Sequence, residues 1–275
     1  MKREKNARPP QGLGVRQPSG AFNAPATPKR QRTAAVQDAT AAAAPDFLIW
    51  QLCDSAFPTG GFAHSSGLEA AWQHGEVRGR VELMAFIKTS LEQLGHAALP
   101  FVTAAFDAPD KLTEFDALCD AFTTNHVANR ASRAQGRAFL TAVERIFPER
   151  GVYAASMSNG DSALKRPEGR APEAVPFAHF APVFGACLRR LDVPRETTMR
   201  LFIFNQLRAA LAAAVRLNIV GPMEAQMLQH QLSAEAERVR QRCEALSLDQ
   251  IAQTAPLLDL WQGAQDRLYS RLFQS

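Results

Sequence analysis

The sequence predicts an all-α protein, a single-domain helical bundle behind a disordered N-terminal tail. Three observations carry that reading. Apolar residues recur at spacings of three and four almost throughout residues 46–275, runs of alternating β-branched residues are nearly absent, and the composition breaks sharply at Pro45. With 275 residues of which 46% are apolar, the chain is long enough to bury a sizeable core.

The tail, Met1 to Ala44, is rich in Pro, Ala, Gln and Arg, holds one apolar aromatic (Phe22) and has no apolar period, so it cannot bury enough surface to offset chain entropy. Its basic, acid-poor composition also fits an organellar transit peptide, but a single serine, Ser19, and several prolines favour a plain tail. Lys2, Arg3, Lys5, Arg8, Arg16, Lys29, Arg30 and Arg32 against Glu4 and Asp38 give it +6; the whole chain is +4, which leaves residues 45–275 at −2. A body of that sign has no electrostatic footprint for phosphate backbones, so nucleic acid is not an expected partner.

The elements follow in order. In LCDSAFPTGGFAHSSGLEA, residues 52–70, Pro58-Thr59-Gly60-Gly61 forces a turn, and Ser66 with Glu69 has capping-box spacing for a short helix. Val81–Leu94 puts Leu83, Ile87, Leu91 and Leu94 on one stripe, with Gly95 as its expected stop. Asp110–Phe147 reads as two helices or one bent one, with Leu112, Phe115, Cys119 and Phe122 inward, then Phe139, Val143 and Phe147, closed by Pro148. Gly151–Pro176 is polar and aperiodic, a long loop between two helical halves. A helix opening at Pro194 runs through Met199, Phe202, Ile203, Leu207, Leu211 and Val215 and is expected to end at Gly221. Pro222 restarts the chain on a face of Met223, Met227 and Leu228, and the last helix is expected to carry Leu257, Trp261, Ala264, Leu268 and Leu272 on one side.

Several chemistries are disfavoured. No GxxxxGK[ST] occurs and no lysine lies between Phe47 and Arg78, so the glycine turn is not read as a phosphate cradle. His64-Ser65-Ser66 lacks the GxSxG elbow, and a hydrolase would need His64 and Glu69 to converge with a nucleophile. The six histidines are scattered with no HxxxH, so neither a metal cluster nor a cofactor is expected. Cys53, Cys119, Cys187 and Cys243 stand far apart without a CxxC pair, as in a reducing, cytoplasmic setting. The most apolar stretch, Ala209–Val215, is far shorter than the ~20 residues that cross a bilayer.

What remains points to protein partners. NHVANRASRAQGR, residues 125–137, sets Ala131 and Gly136, small enough for close helix approach, among the donors Arg130, Arg133, Gln135 and Arg137, which suits an interface as well as a solvated face. Met199–Val220 combines large apolar residues with Arg208 and Arg216, and a symmetric dimer contact through Arg208, Leu211 and Val215 is expected. At the C-terminus, Tyr269 and Phe273 lie four apart beside Arg267 and Arg271, a docking element unless the segment packs back on its own bundle.

Five strings in one order, LCDSAFPTGGFAHSSGLEAA, NHVANRASRAQGRAFL, HFAPVFGACLRRL, LRAALAAAVRLNIVGPMEAQMLQ and PLLDLWQGAQDRLYSRLFQS, resemble the urease accessory protein F (UreF) family, most closely its eukaryotic form. They span nearly all of residues 46–275, leaving the tail and the long loop outside. The resemblance implies a dimerising all-α scaffold, not an enzyme, that binds UreD (UreH in some systems), recruits and modulates the GTPase UreG, and docks on apo-urease for nickel insertion. With it, the expected partner-facing residues are His64, Glu69, Arg130, Gln135, Arg267, Tyr269, Arg271 and Phe273. Gln265 departs from the pattern, standing where a histidine is expected in relatives. The alternative is a generic helical adaptor unrelated to urease.

Overall fold

In a computed structural model, residues 46–148 and 175–275 are described. Met1–Ala44 and residues 151–174 of the expected loop lie outside the described residues. Those described belong to one unit, Pro45–Ser275. Ten helices carry it: α1 (46–53), α2 (Leu68–Gln73), α3 (Arg80–Ala97), α4 (Leu99–Asp107), α5 (Leu112–Phe122), α6 (His126–Ile146), α7 (Phe180–Arg190), α8 (Arg195–Arg216), α9 (Pro222–Cys243) and α10 (Pro256–Ala264). Short 3-10 turns join some of them, and no strand occurs among the described residues.

Helix α7 is the axis of the core, with every residue from Ala181 to Leu188 buried. It packs on α4, α5, α6 and α8. Its Phe180 and Phe184 meet Phe139 of α6 and Phe202 of α8 at ring distances of 5.2–5.8 Å, tilted or edge-on in most pairs, as aromatic quadrupoles prefer. The crossing of α6 with the start of α7 needs a residue without a side chain: a Cβ on Gly136 would lie 2.0 Å from the Ala178 carbonyl oxygen. No side chain of its own caps α7. Instead the fully buried Asp116 of α5 accepts the N–H groups of Phe177 (2.8 Å), Ala178 (2.9 Å) and His179 (2.7 Å), a carboxylate on the positive end of the helix. His179, also fully buried, sits between Asp120 (Nε2 to Oδ1, 3.0 Å) and Ser132 (Nδ1 to Oγ, 3.1 Å) and ties α7 to both α5 and α6.

Helices α8 and α9 form an antiparallel hairpin around Asn218 (φ +56°) and the Gly221-Pro222 corner. Arg200 bridges them to Glu237 at 3.0 Å, and the nearly buried Arg240 gathers Glu237 (2.9 Å), Glu244 and Glu196 (3.4 Å).

Several local expectations are corrected. Gly95 does not stop α3 but lies inside it, where a Cβ would stand 2.6 Å from Val239 and 2.9 Å from the Cys243 sulfur, so it marks a close approach of α9. Helix α8 ends at Arg216, before Gly221, because the chain turns left-handed at Asn218. On α9, Met223 and Met227 are exposed and only Leu228 of the expected face is buried. The last helix ends at Ala264, so Leu268 and Leu272 are not on it.

Candidate partner-docking site

The two ends of this unit, the glycine turn and the C-terminal segment, meet. Gly60 (φ +69°), Ser66 (φ +52°) and Gly67 (φ +87°) are left-handed, which reverses the chain twice before α2. Gly67 also lets α2 start against the α10 backbone, for a Cβ there would sit 2.9 Å from the Gln262 nitrogen. The expected capping box is not formed: the cap of α2 is Gly67, and Glu69 is turned elsewhere.

Glu69 is 2% exposed. Its carboxylate accepts the N–H of Leu272 (2.6 Å), the N–H of Phe273 (3.1 Å) and the side-chain amide of Gln265 (2.5 Å). A carboxylate so buried is kept by its donors, since burial of the ion alone is costly. Beside it, Gln274 donates to the Ala63 carbonyl (2.8 Å), Ser65 N–H donates to the Ser275 carbonyl (2.5 Å), and His64 Nδ1 lies 2.5 Å from the Ser275 hydroxyl. Burial first, then the Arg130 charge, lowers the His64 pKa, which keeps the ring neutral. Phe273 is buried with the Arg216 guanidinium 4.2 Å above its ring. Together these contacts clasp residues 272–275 onto residues 63–69.

A second layer secures α10 and the turn after it. Asn125 caps α6 through the N–H groups of Val127 and Ala128 and donates its amide to the Asp259 carbonyl at 2.7 Å. Asp266 receives both guanidinium arms of Arg130 (3.1 and 2.9 Å), Arg271 (3.1 Å) and His126 (3.3 Å), and the Arg130 hydrogen bond foremost holds its carboxyl below the usual range. Outside this clasp apolar groups stand among the charges: Tyr269 is fully exposed, and Leu257, Leu260 and Leu272 are more than half exposed, beside the exposed Arg267 and Arg271.

Of the expected partner-facing residues, His64, Glu69, Arg130, Arg271 and Phe273 converge on the clasp, Arg267 and Tyr269 stand exposed on its outside, and Gln135 lines a cavity shared with His64. His64, Glu69 and Phe273 are nevertheless buried in their own chain and do not face outward; the expected pairing of Tyr269 with Phe273 on a helix fails because no helix continues past Arg267 and the chain bends at 269–270 and 272–273. The symmetric dimer contact loses its centre, since Leu211 is 2% exposed in the core, Val215 is half-buried against it, and Arg208 donates to the Cys53 carbonyl at 2.5 Å. Ser65, Asn125 and Asp266 lie outside the expected site residues, and Arg216, expected near a dimer contact, covers Phe273 instead; all four act across long sequence separations, and only Asn125, a cap residue ahead of a helix, carries a local signal.

The Ser275 hydroxyl beside His64 is buried, 1% of the residue being exposed, so it has no route to a substrate. Burial pushes the Cys119 thiol up to about 12 and that of Cys187 higher still, which leaves them protonated and unreactive. Among the described residues no group of three His, Cys, Asp or Glu side chains could hold a metal ion, and no helix is long and apolar enough to cross a membrane.

The model of the UreF family matches residues 77–233, more than half of the chain. Urease accessory protein F of Oryza sativa is 40% identical over 226 residues, 82% of this chain and 83% of the rice protein. The chain belongs to the UreF family. Urease accessory protein F of Arabidopsis thaliana is 39% identical over 232 residues, covering 82% and 91% of the two chains. A UreF-like protein of Schizosaccharomyces pombe is 30% identical over 226 residues, 82% and 94%. The UreF model match takes in α3 to α8 and part of α9 but stops short of both halves of the clasp.

Proposed function

We propose that this UreF-family chain is a non-catalytic scaffold of urease maturation, binding a UreD-type (UreH-type) partner and with it bringing the GTPase UreG to apo-urease, with nickel as the cargo of the assembly. The reading is supported by the names of its relatives, which are urease accessory proteins, and one structural observation carries it to a surface. The clasp holds the C-terminal segment, and the Asn125 contact holds α10, so that Tyr269, Leu272, Leu257 and Leu260 face outward, and apolar groups so displayed mark interaction sites. Aromatic and apolar anchors on a pre-ordered backbone bind at a small ordering cost.

The test is co-purification with UreD and UreG of the same source, using Tyr269→Ala with Leu272→Ala. Both side chains are exposed, so the thermal melt should be unchanged while binding weakens by about 2–4 kcal/mol, roughly 30-fold or more. Retained binding removes the surface from the proposal; failure of the unaltered chain to capture UreD removes the function itself. Homodimer formation belongs to the same proposal, without the α8 contact through Leu211, and is read from the mass in light scattering.

A further inference from the structure

A carboxylate, an imidazole and a hydroxyl stand in hydrogen-bonded line where α5, α6 and the start of α7 meet. Asp120 Oδ1 lies 3.0 Å from Nε2 of His179, and the other ring nitrogen, Nδ1, lies 3.1 Å from the Ser132 hydroxyl. The donors decide where the protons sit. Asp120 also receives the Asn129 side-chain amide at 2.9 Å and has Arg133 at 3.9 Å, so it acts as an acceptor and Nε2 carries the ring proton. Nδ1 is then the acceptor, and the Ser132 O–H donates to it. This is the order of groups that activates a hydroxyl for attack.

A structural tie would need these bonds and nothing more, but the serine also borders open space. Ser132 is half-buried and shares one face of α6 with Ala128 and Gln135, and that face lines a cavity of about 270 Å³ with the glycine turn, the start of α7 and α8. The lining includes the exposed Asp54 and Phe62, which open it to solvent, and an aromatic wall of Phe57, Phe180 and Phe202. Arg208 offsets the charge of Asp54 there, which suits an uncharged ligand. The first N–H groups of α7 have no acceptor within the helix: that of Phe180 meets Ser132 Oγ at 3.2 Å, and Ala181 follows it in the same lining. One lone pair of the serine oxygen is thus taken, and the other is left for a bond to carbon.

We propose that Ser132 is a reactive serine that takes the acyl group of a small, uncharged ester bound in this cavity. Ser132 Oγ attacks the carbonyl carbon while its proton passes to His179 Nδ1, and the carbonyl oxygen gains its negative charge beside the Ala181 N–H. The bond to the leaving oxygen then breaks and the same proton goes with it, which gives an O-acyl serine and a free alcohol. This goes beyond the scaffold reading and does not depend on it, since it asks for one acyl group per chain and not for turnover.

The probe is 4-nitrophenyl acetate, applied to the full chain, with the adduct located by mass spectrometry of proteolytic peptides. Ser132 should be acetylated about a hundredfold or more faster than any other serine of the chain, the factor that a placed general base contributes. His179→Gln can still donate to Asp120 and accept from Ser132 but cannot take a proton, so labelling of Ser132 should fall about a hundredfold, to the rate of the other serines. Ser132→Ala should lose that adduct and the 4-nitrophenolate released with it, with an unchanged circular dichroism spectrum. Acetyl groups confined to lysines, Ser132 labelled no faster than other serines, or undiminished labelling in a folded His179→Gln chain would overturn the proposal. The first two are read on the unaltered chain, so they decide the matter even where the glutamine variant does not fold.

Discussion

Replacing Glu69 by alanine should open the C-terminal segment while leaving the bundle folded. The carboxylate faces three donors. Leu272 is half-exposed, so its N–H finds water once the acceptor is gone; Phe273 at 4% and Gln265 at 0% exposure cannot. Two buried orphan donors cost about 1–3 kcal/mol each, or about 2–6 kcal/mol together. Releasing the segment relieves that cost but surrenders the burial of Phe273 beneath Arg216, about 1.5–3 kcal/mol. The two sums are of similar size, so the clasp should shift toward an open state, while α4, α7 and α8, which do not touch Glu69 through these bonds, keep their packing. Amide hydrogen exchange reads this directly. A loss of 2 kcal/mol is about 30-fold in protection, expected at Phe273 and Gln274 and absent at Phe184 in α7. Unchanged protection at residues 272–274, or an equal fall across α4 and α7, would refute the argument.

Two further outcomes follow from the geometry. The Asp266 carboxyl is held below the ordinary value of about 3.9, so its contribution to the clasp is complete above that pH and is lost only as the pH falls through its lower folded value; Arg130→Gln should move the carbon-13 titration midpoint of Asp266 upward, and an unmoved midpoint would remove Arg130 as the cause. Gly136→Ala places a Cβ 2.0 Å from the Ala178 carbonyl oxygen, so backbone must shift at about 1–3 kcal/mol, and Tm measured by circular dichroism should fall by about 2–4 °C for each kcal/mol; an unchanged Tm would mean that the α6–α7 crossing has room.

Local physics was enough for much of this protein. Helical period in 81–94, across 110–147 and from Pro194 to Gly221 identifies the class, and Gly221-Pro222 fixes the α8–α9 corner, because spacing of apolar residues and backbone allowance at Gly and Pro are properties of short stretches. Five strings in one order carry the resemblance to the UreF family without reference to the fold. What sequence could not settle is where a residue's partner lies in space. Leu257, Trp261, Ala264, Leu268 and Leu272 keep a helical period to the end, yet α10 stops at Ala264, since the backbone donors of Leu272 and Phe273 are taken by a carboxylate 203 and 204 residues earlier in the chain. Ser66 and Glu69 have capping-box spacing, but the same carboxylate gains more donors from the C-terminal segment than a single cap supplies. Leu211 and Phe273 read as surface anchors because they accompany arginines, and tertiary packing turned both inward. Period, caps and turns are set by neighbours in sequence; burial and the pairing of a buried charge are set by neighbours in space, and only the folded chain brings Glu69, Gln265 and Phe273 together.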